Sequence, residues 1–68
     1  MTVYELTDVL YEETPVEICI DYDPVFVGTA GDAHFCKYLN RKVEEVYVDI
    51  DGTKLIIAIN HVRNIKKK

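Results

Sequence analysis

Cys19, Cys36, His34 and His61 carry the donors that nucleophilic or metal chemistry would draw on. Covalent catalysis needs such a group beside a base that a third residue orients. His34 and Cys36 stand two apart, on one face of a strand but nearly opposite on a helix, and nothing nearby completes a triad. Thiolate and imidazole are zinc donors, yet the spacing of these four matches no common zinc site. Two cysteines without a Cys-x-x-Cys motif suit reduced thiols. Asp21 and Asp23 could share acid and base roles, but a water-exposed turn gives neither a reason for a displaced pKa. The string Asp49-Ile50-Asp51-Gly52 opens like a calcium loop, and the later ligands do not follow. Gly28-Thr29-Ala30-Gly31-Asp32 has the glycines of a phosphate-cradling turn, but Asp32 would repel the phosphate, so a bulge at Gly28 and a turn at Gly31 fit better. These residues point away from an enzyme, and no metal or cofactor is expected.

Residues 34–42 interleave His34, Phe35 and Tyr38 with Lys37, Arg41 and Lys42. Aromatic faces stack on bases and cations hold phosphates, the pairing that nucleotide recognition uses. Tyr38 and Arg41 are three apart and face the same way on a helical turn. Candidate ligand-binding residues are Tyr38, Arg41, Lys37 and His34, joined by His61 and Arg63 from the C-terminal stretch. The alternative places Phe35 and Leu39 in the core and the cations in solvent. So short a chain has little concavity, and a pocket would form where subunits meet.

The elements that must position these residues follow from periodicity. Thr2-Val3-Tyr4-Glu5 is a capping box, and Val3, Leu6, Val9 and Leu10 form one stripe, which predicts a helix of about three turns ended by Glu12-Glu13-Thr14-Pro15. Val16, Ile18 and Ile20 alternate with Glu17, Cys19 and Asp21 as a strand does, and Asp21-Tyr22-Asp23-Pro24 is a four-residue turn that sets Ile20 opposite Val25 and Ile18 opposite Val27. Asp51-Gly52 predicts a type I′ turn pairing Val48 with Leu55, Val46 with Ile57, Tyr47 with Ile56 and Asp49 with Lys54. Between the hairpins, Asp32 as N-cap and Asn40 as C-cap bracket a short helix or 3₁₀ turn over residues 33–39.

The expected fold is α+β: an N-terminal helix followed by two β-hairpins, forming a small twisted four-stranded sheet or a half-closed SH3-like barrel. Its core would be Leu6, Val9, Leu10, Val16, Ile18, Ile20, Val25, Val27, Val46, Val48, Leu55, Ile57 and Ile59. Cys19, Phe26, Tyr47, Ile56 and Ala58 then lie on the reverse face, too apolar for a solvated surface and suited to an interface unless the sheet wraps over them. With 68 residues there is one domain, residues 1–68, with residues 60–68 a basic tail. A core this small barely offsets its ordering entropy, which favours self-association.

Charge is unevenly spread. Residues 1–32 hold eight acids and no Lys or Arg, while residues 33–68 hold eight bases against four acids, for a net of −4. That acidity disfavours duplex DNA. No apolar run approaches a membrane span and no signal sequence opens the chain, so a cytoplasmic protein with no membrane partner is expected.

Val3-Tyr4-Glu5-Leu6-Thr7-Asp8-Val9-Leu10, Val16-Glu17-Ile18, Gly28-Thr29-Ala30-Gly31-Asp32 and Val46-Tyr47-Val48-Asp49-Ile50-Asp51-Gly52 resemble a group of small uncharacterised proteins of Gram-positive phages and prophages. The likeness covers most of the chain and brings no catalytic residues. It implies a viral protein acting in the host cytoplasm against host defence. Two functions follow as expectations. One is a homo-oligomer that sequesters a nucleotide-type immune signal. The other is an anti-CRISPR-like inhibitor whose Glu12, Glu13, Glu17, Asp21 and Asp23 mimic nucleic acid toward a host defence protein.

Overall fold

The computed structural model describes residues 1–59. The elements run α1 (Val3–Asp8), β1 (Pro15–Ile20), β2 (Asp23–Thr29), α2 (Ala30–Ala33), β3 (Val43–Val48) and β4 (Leu55–Ile59). The strands form one mixed sheet in the order β2-β1-β4-β3, with β1 and β4 parallel at its centre. A helix followed by one four-stranded sheet is the α+β architecture expected, and among the described residues β2 and β3 are the edges of a sheet that does not close into a true barrel. No helix among the described residues is long and apolar enough to cross a membrane.

The capping box forms as expected: the Glu5 amide donates to Thr2 Oγ1 at 3.2 Å and the Thr2 amide to Glu5 Oε1 at 2.8 Å. The helix, however, is six residues long rather than three turns, and Val9 is exposed. Its last turn has no basic residue to meet the carbonyl end. Residues 12–14 are also claimed elsewhere: Glu12 O accepts from the Gly31 amide at 2.9 Å and Thr14 O from the Ala30 amide at 2.8 Å, which ties the extended segment to α2.

The first hairpin departs from its expected register. Asp21 (φ 52°) and Tyr22 (φ 70°) make a tight two-residue turn, and a bulge between Ile18 and Cys19 shifts the pairing. Ile18 therefore faces Phe26 and Glu17 faces Val27. Val25 and Phe26 pack against the core, whereas Val27 is exposed. A type I′ turn needs two positive φ angles, and these two residues supply them here.

The second hairpin has the expected register, Val48 with Leu55, Tyr47 with Ile56 and Val46 with Ile57. Its turn is of another kind, because only Gly52 has a positive φ. The Asp49 carboxylate organises it, accepting from the Thr53 amide (2.7 Å), the Thr53 hydroxyl (3.0 Å) and the Lys54 amide (3.2 Å). Lys54 pairs with Asp49 through the backbone but sends its ammonium to Glu17 at 3.0 Å.

α2 begins earlier than expected. Thr29, not Asp32, is its N-cap, and from His34 on the chain runs in turns with the three-residue bonds Phe35 to Asp32, Cys36 to Ala33 and Leu39 to Cys36, nearer the 3₁₀ alternative than a helix over residues 33–39. The core gathers Val3, Val16, Ile18, Ala30, Ala33, Ile57 and Ile59. α1 packs on α2, and α2 lies against β1 and β2. Among the described residues that leaves the β3 side of the same face uncovered, so Val46 and Val48, expected in the core, are exposed there.

Candidate functional site

The turns after α2 set two cations beside the ring of the partly buried Tyr38. Lys37 Nζ lies 5.5 Å and Arg41 Cζ 5.8 Å from the Tyr38 ring centroid, within cation–π range. The backbone fixes this turn: the Arg41 amide donates to Tyr38 O (3.0 Å), Arg41 O accepts from the Val3 amide (3.0 Å), and Leu39 O accepts from the Tyr4 amide (2.9 Å). The start of α1 is thus the platform for the Tyr38 segment.

Of the candidate ligand-binding residues, Tyr38, Arg41 and Lys37 come together. His34 goes elsewhere. Its ring stacks on Tyr4 at 4.4 Å between centroids, and its Nδ1 is 3.0 Å from Thr7 Oγ1. The Thr7 hydroxyl spends its proton on Val3 O at 2.8 Å, so the imidazole Nδ1–H is the donor in the Thr7 bond. His34 therefore joins α1 to α2. His61 and Arg63 lie outside the described residues.

A feature not anticipated from sequence is a groove of about 620 Å³ between the helices, lined among others by Asp8, Glu12, Glu13, Asp32, His34 and Phe35. The uneven charge along the chain was its signal; the folding of residues 10–14 onto α2 was the missing step. The acidic surface expected from Glu12, Glu13, Glu17, Asp21 and Asp23 is split instead. Glu12 and Glu13 face the groove, Glu17 pairs with Lys54, and Asp21 and Asp23 flank Tyr22 at the β1–β2 turn.

On the reverse face of the sheet, Cys19, Tyr47, Ile56 and Ala58 share one side as expected, but the bulge moves Phe26 to the core side. Cys19 Sγ donates to Glu17 Oε2 at 3.2 Å. Burial, then the hydrogen bond to the Glu17 carboxylate, pushes the Cys19 thiol up to about 11. The Lys54 ammonium, helped by that thiol, lowers the Glu17 pKa, and Glu17 in turn raises that of Lys54. Cys19 is therefore a protonated, structural thiol, the opposite of an activated nucleophile. Among the described residues, no group of three or more metal-ligating side chains gathers. No family model matches the chain, and neither a curated protein nor a solved structure matches it.

Proposed function

We propose that this chain is a non-enzymatic binding protein that takes a nucleotide-type anion at Lys37, Tyr38 and Arg41 and assembles as a homo-oligomer. The observation that carries the reading is the pair of cations on one aromatic ring. Arg41 offers a planar fork for two phosphate oxygens, Lys37 a point charge, and Tyr38 a stacking surface with a polar tip. An enclosing wall would come from a neighbouring subunit. In the viral setting that the sequence resemblance implies, the ligand would be a nucleotide signal of host immunity held away from its receptor.

Isothermal titration against a panel of mono- and cyclic dinucleotides tests this directly. A binder should emerge whose affinity falls about tenfold or more in both Lys37→Glu and Arg41→Gln. A panel without a binder, or a binder indifferent to both substitutions, refutes the reading.

A second reading is favoured by the acidic groove: Asp8, Glu12, Glu13 and Asp32 would receive a basic surface of a host defence protein. Such a complex should weaken steeply with salt and with Glu12→Lys. A complex insensitive to both would exclude it.

A further inference from the structure

We propose that the outer edge of β3 is a dimerisation site, on which β3 of a second copy pairs antiparallel about a two-fold axis at Val46. This deepens the oligomeric part of the function proposed above and rests on it, while nucleotide binding is read by a separate assay. The backbone phase comes from the turn. The Asp49 amide donates to Lys54 O at 3.1 Å, so Asp49 and Lys54 form a hydrogen-bonded rung. Rungs alternate in an antiparallel ladder. Tyr47 with Ile56 is therefore bonded inward, and Val46 and Val48 turn their amides and carbonyls outward.

The free length of that edge is bounded. At one end Met1 O accepts from the Val43 amide at 2.8 Å and Thr2 bridges Lys42; at the other the strand enters its turn after Val48. No described residue pairs with the outer side of residues 44–48. Val46 is the midpoint of that span. Centring there sets Val46 against Val46, Glu45 against Tyr47 and Glu44 against Val48 of the other copy, so no acid meets an acid. Centring on Tyr47 would set Glu45 against Asp49, and centring on Glu45 would oppose two glutamates, both destabilising.

Side chains argue the same way. Val46 is 42 % and Val48 58 % exposed, on the core side of the sheet beyond the reach of the helices. A second copy would bring its own Val46 directly against Val46, with its Val48 diagonal to that residue. The opposite edge, β2, is guarded by Asp23, Pro24 and the bulge, the usual devices against edge pairing. β3 has no proline, and its register irregularity, between Val43 and Glu45, lies with its acids at the one end away from Val48.

Sedimentation velocity over a micromolar concentration series, with amide hydrogen exchange on the same samples, tests the proposal. A monomer–dimer equilibrium is expected, with the Val46 and Val48 amides more protected as the dimer fills. Val46→Pro removes an outward donor and no inward bond, and should weaken the dimer about tenfold or more with an unchanged circular dichroism spectrum. Val48→Glu, which would oppose Glu44 of the other copy, gives the same readout without a backbone change. Ala58→Arg, on the reverse face, should leave the dimer intact. A monomer at all concentrations overturns the proposal, as does a dimer lost in Ala58→Arg but kept in Val48→Glu. Protection of the Val46 amide in a strict monomer also overturns it, since residues 60–68 of the same chain would then cover the edge.

Discussion

Gly31→Ala should destabilise this protein even though the residue lies inside a helix. In an unobstructed helix interior the change gains up to about 1 kcal/mol from propensity and lost unfolded-state entropy. Here a methyl group at position 31 would lie 3.0 Å from Glu12 Cβ and 3.1 Å from Glu12 O. That carbonyl is held by the Gly31 amide at 2.9 Å, and the next tie, Thr14 O to the Ala30 amide, is 2.8 Å. Relief requires stretching these bonds or lifting residues 12–14 off α2, an overpacking cost of about 1–3 kcal/mol that outweighs the helix gain. A net loss of about 1 to 2 kcal/mol is a large share of the roughly 3–10 kcal/mol expected for a domain of this length. Equilibrium urea unfolding should show the midpoint fall by about 1 M at unchanged slope. Gly28→Ala is the comparison, because its close neighbour is the end of the Phe26 ring at 3.1 Å, which can turn away. A Gly31→Ala protein as stable as the parent, or more so, would show that the contact between residue 12 and α2 is loose and the reasoning wrong.

Three further outcomes are expected. Ile18→Ala should cost about 2–5 kcal/mol and Val27→Ala less than about 0.5 kcal/mol in the same urea assay; equal costs would restore the pairing of Ile18 with Val27 and contradict the bulge. Iodoacetamide at pH 8, followed by intact mass, should modify the half-exposed Cys36 well before the buried Cys19, whose thiolate fraction near that pH is about one in a thousand; equal rates would refute the assignment of Cys19 as a protonated thiol. The pKa of Glu17 is lowered by Lys54, so its contribution is present above its unfolded value of 4.5 and lost as pH falls through the lower folded value. Lys54 is raised, so its contribution holds below 10.5 and is lost as pH rises through the higher folded value. Unfolding midpoints across pH should therefore be flatter at both extremes in Glu17→Gln, and a profile identical to the parent's would show the pair to be inert.

What the sequence disclosed and what it concealed follow a physical division. The capping box and the second hairpin are local: Thr2 and Glu5 are three apart, and the pairs from Val46 to Val48 count outward from one turn. The first hairpin failed on a competition between two turns. Asp21-Tyr22-Asp23-Pro24 reads as a four-residue loop by composition, yet Pro24 sits within an edge strand, where its missing amide costs little, and Asp21 and Tyr22 take the left-handed angles. The resulting shift carried Phe26 to the core side and Val27 out. α1 is shorter than its periodicity because the stripe continues past Asp8 while the backbone at Glu12 and Thr14 is committed to α2, a contact that no local pattern encodes. For the candidate site, the turn geometry of residues 37–41 was legible from spacing. The role of His34 was not, because it depends on Tyr4 and Thr7 from another element.

The parallel seam at the centre of the sheet has a consequence for how the chain reaches this state. Each hairpin can zip from its own turn, but neither buries Ile18 or Ile57 by itself. Those side chains lose water only when Val16 finds Leu55 and Ile18 finds Ile57, across everything between them. The loop that must close before this seam forms sets the barrier, so folding should be slow for a protein of this size, with a transition state in which the two hairpins are preformed and their docking is under way. During synthesis β1 and β2 leave the ribosome long before β4, and until β4 arrives Ile18 has half a core. A small chain of this topology folds late, close to all at once.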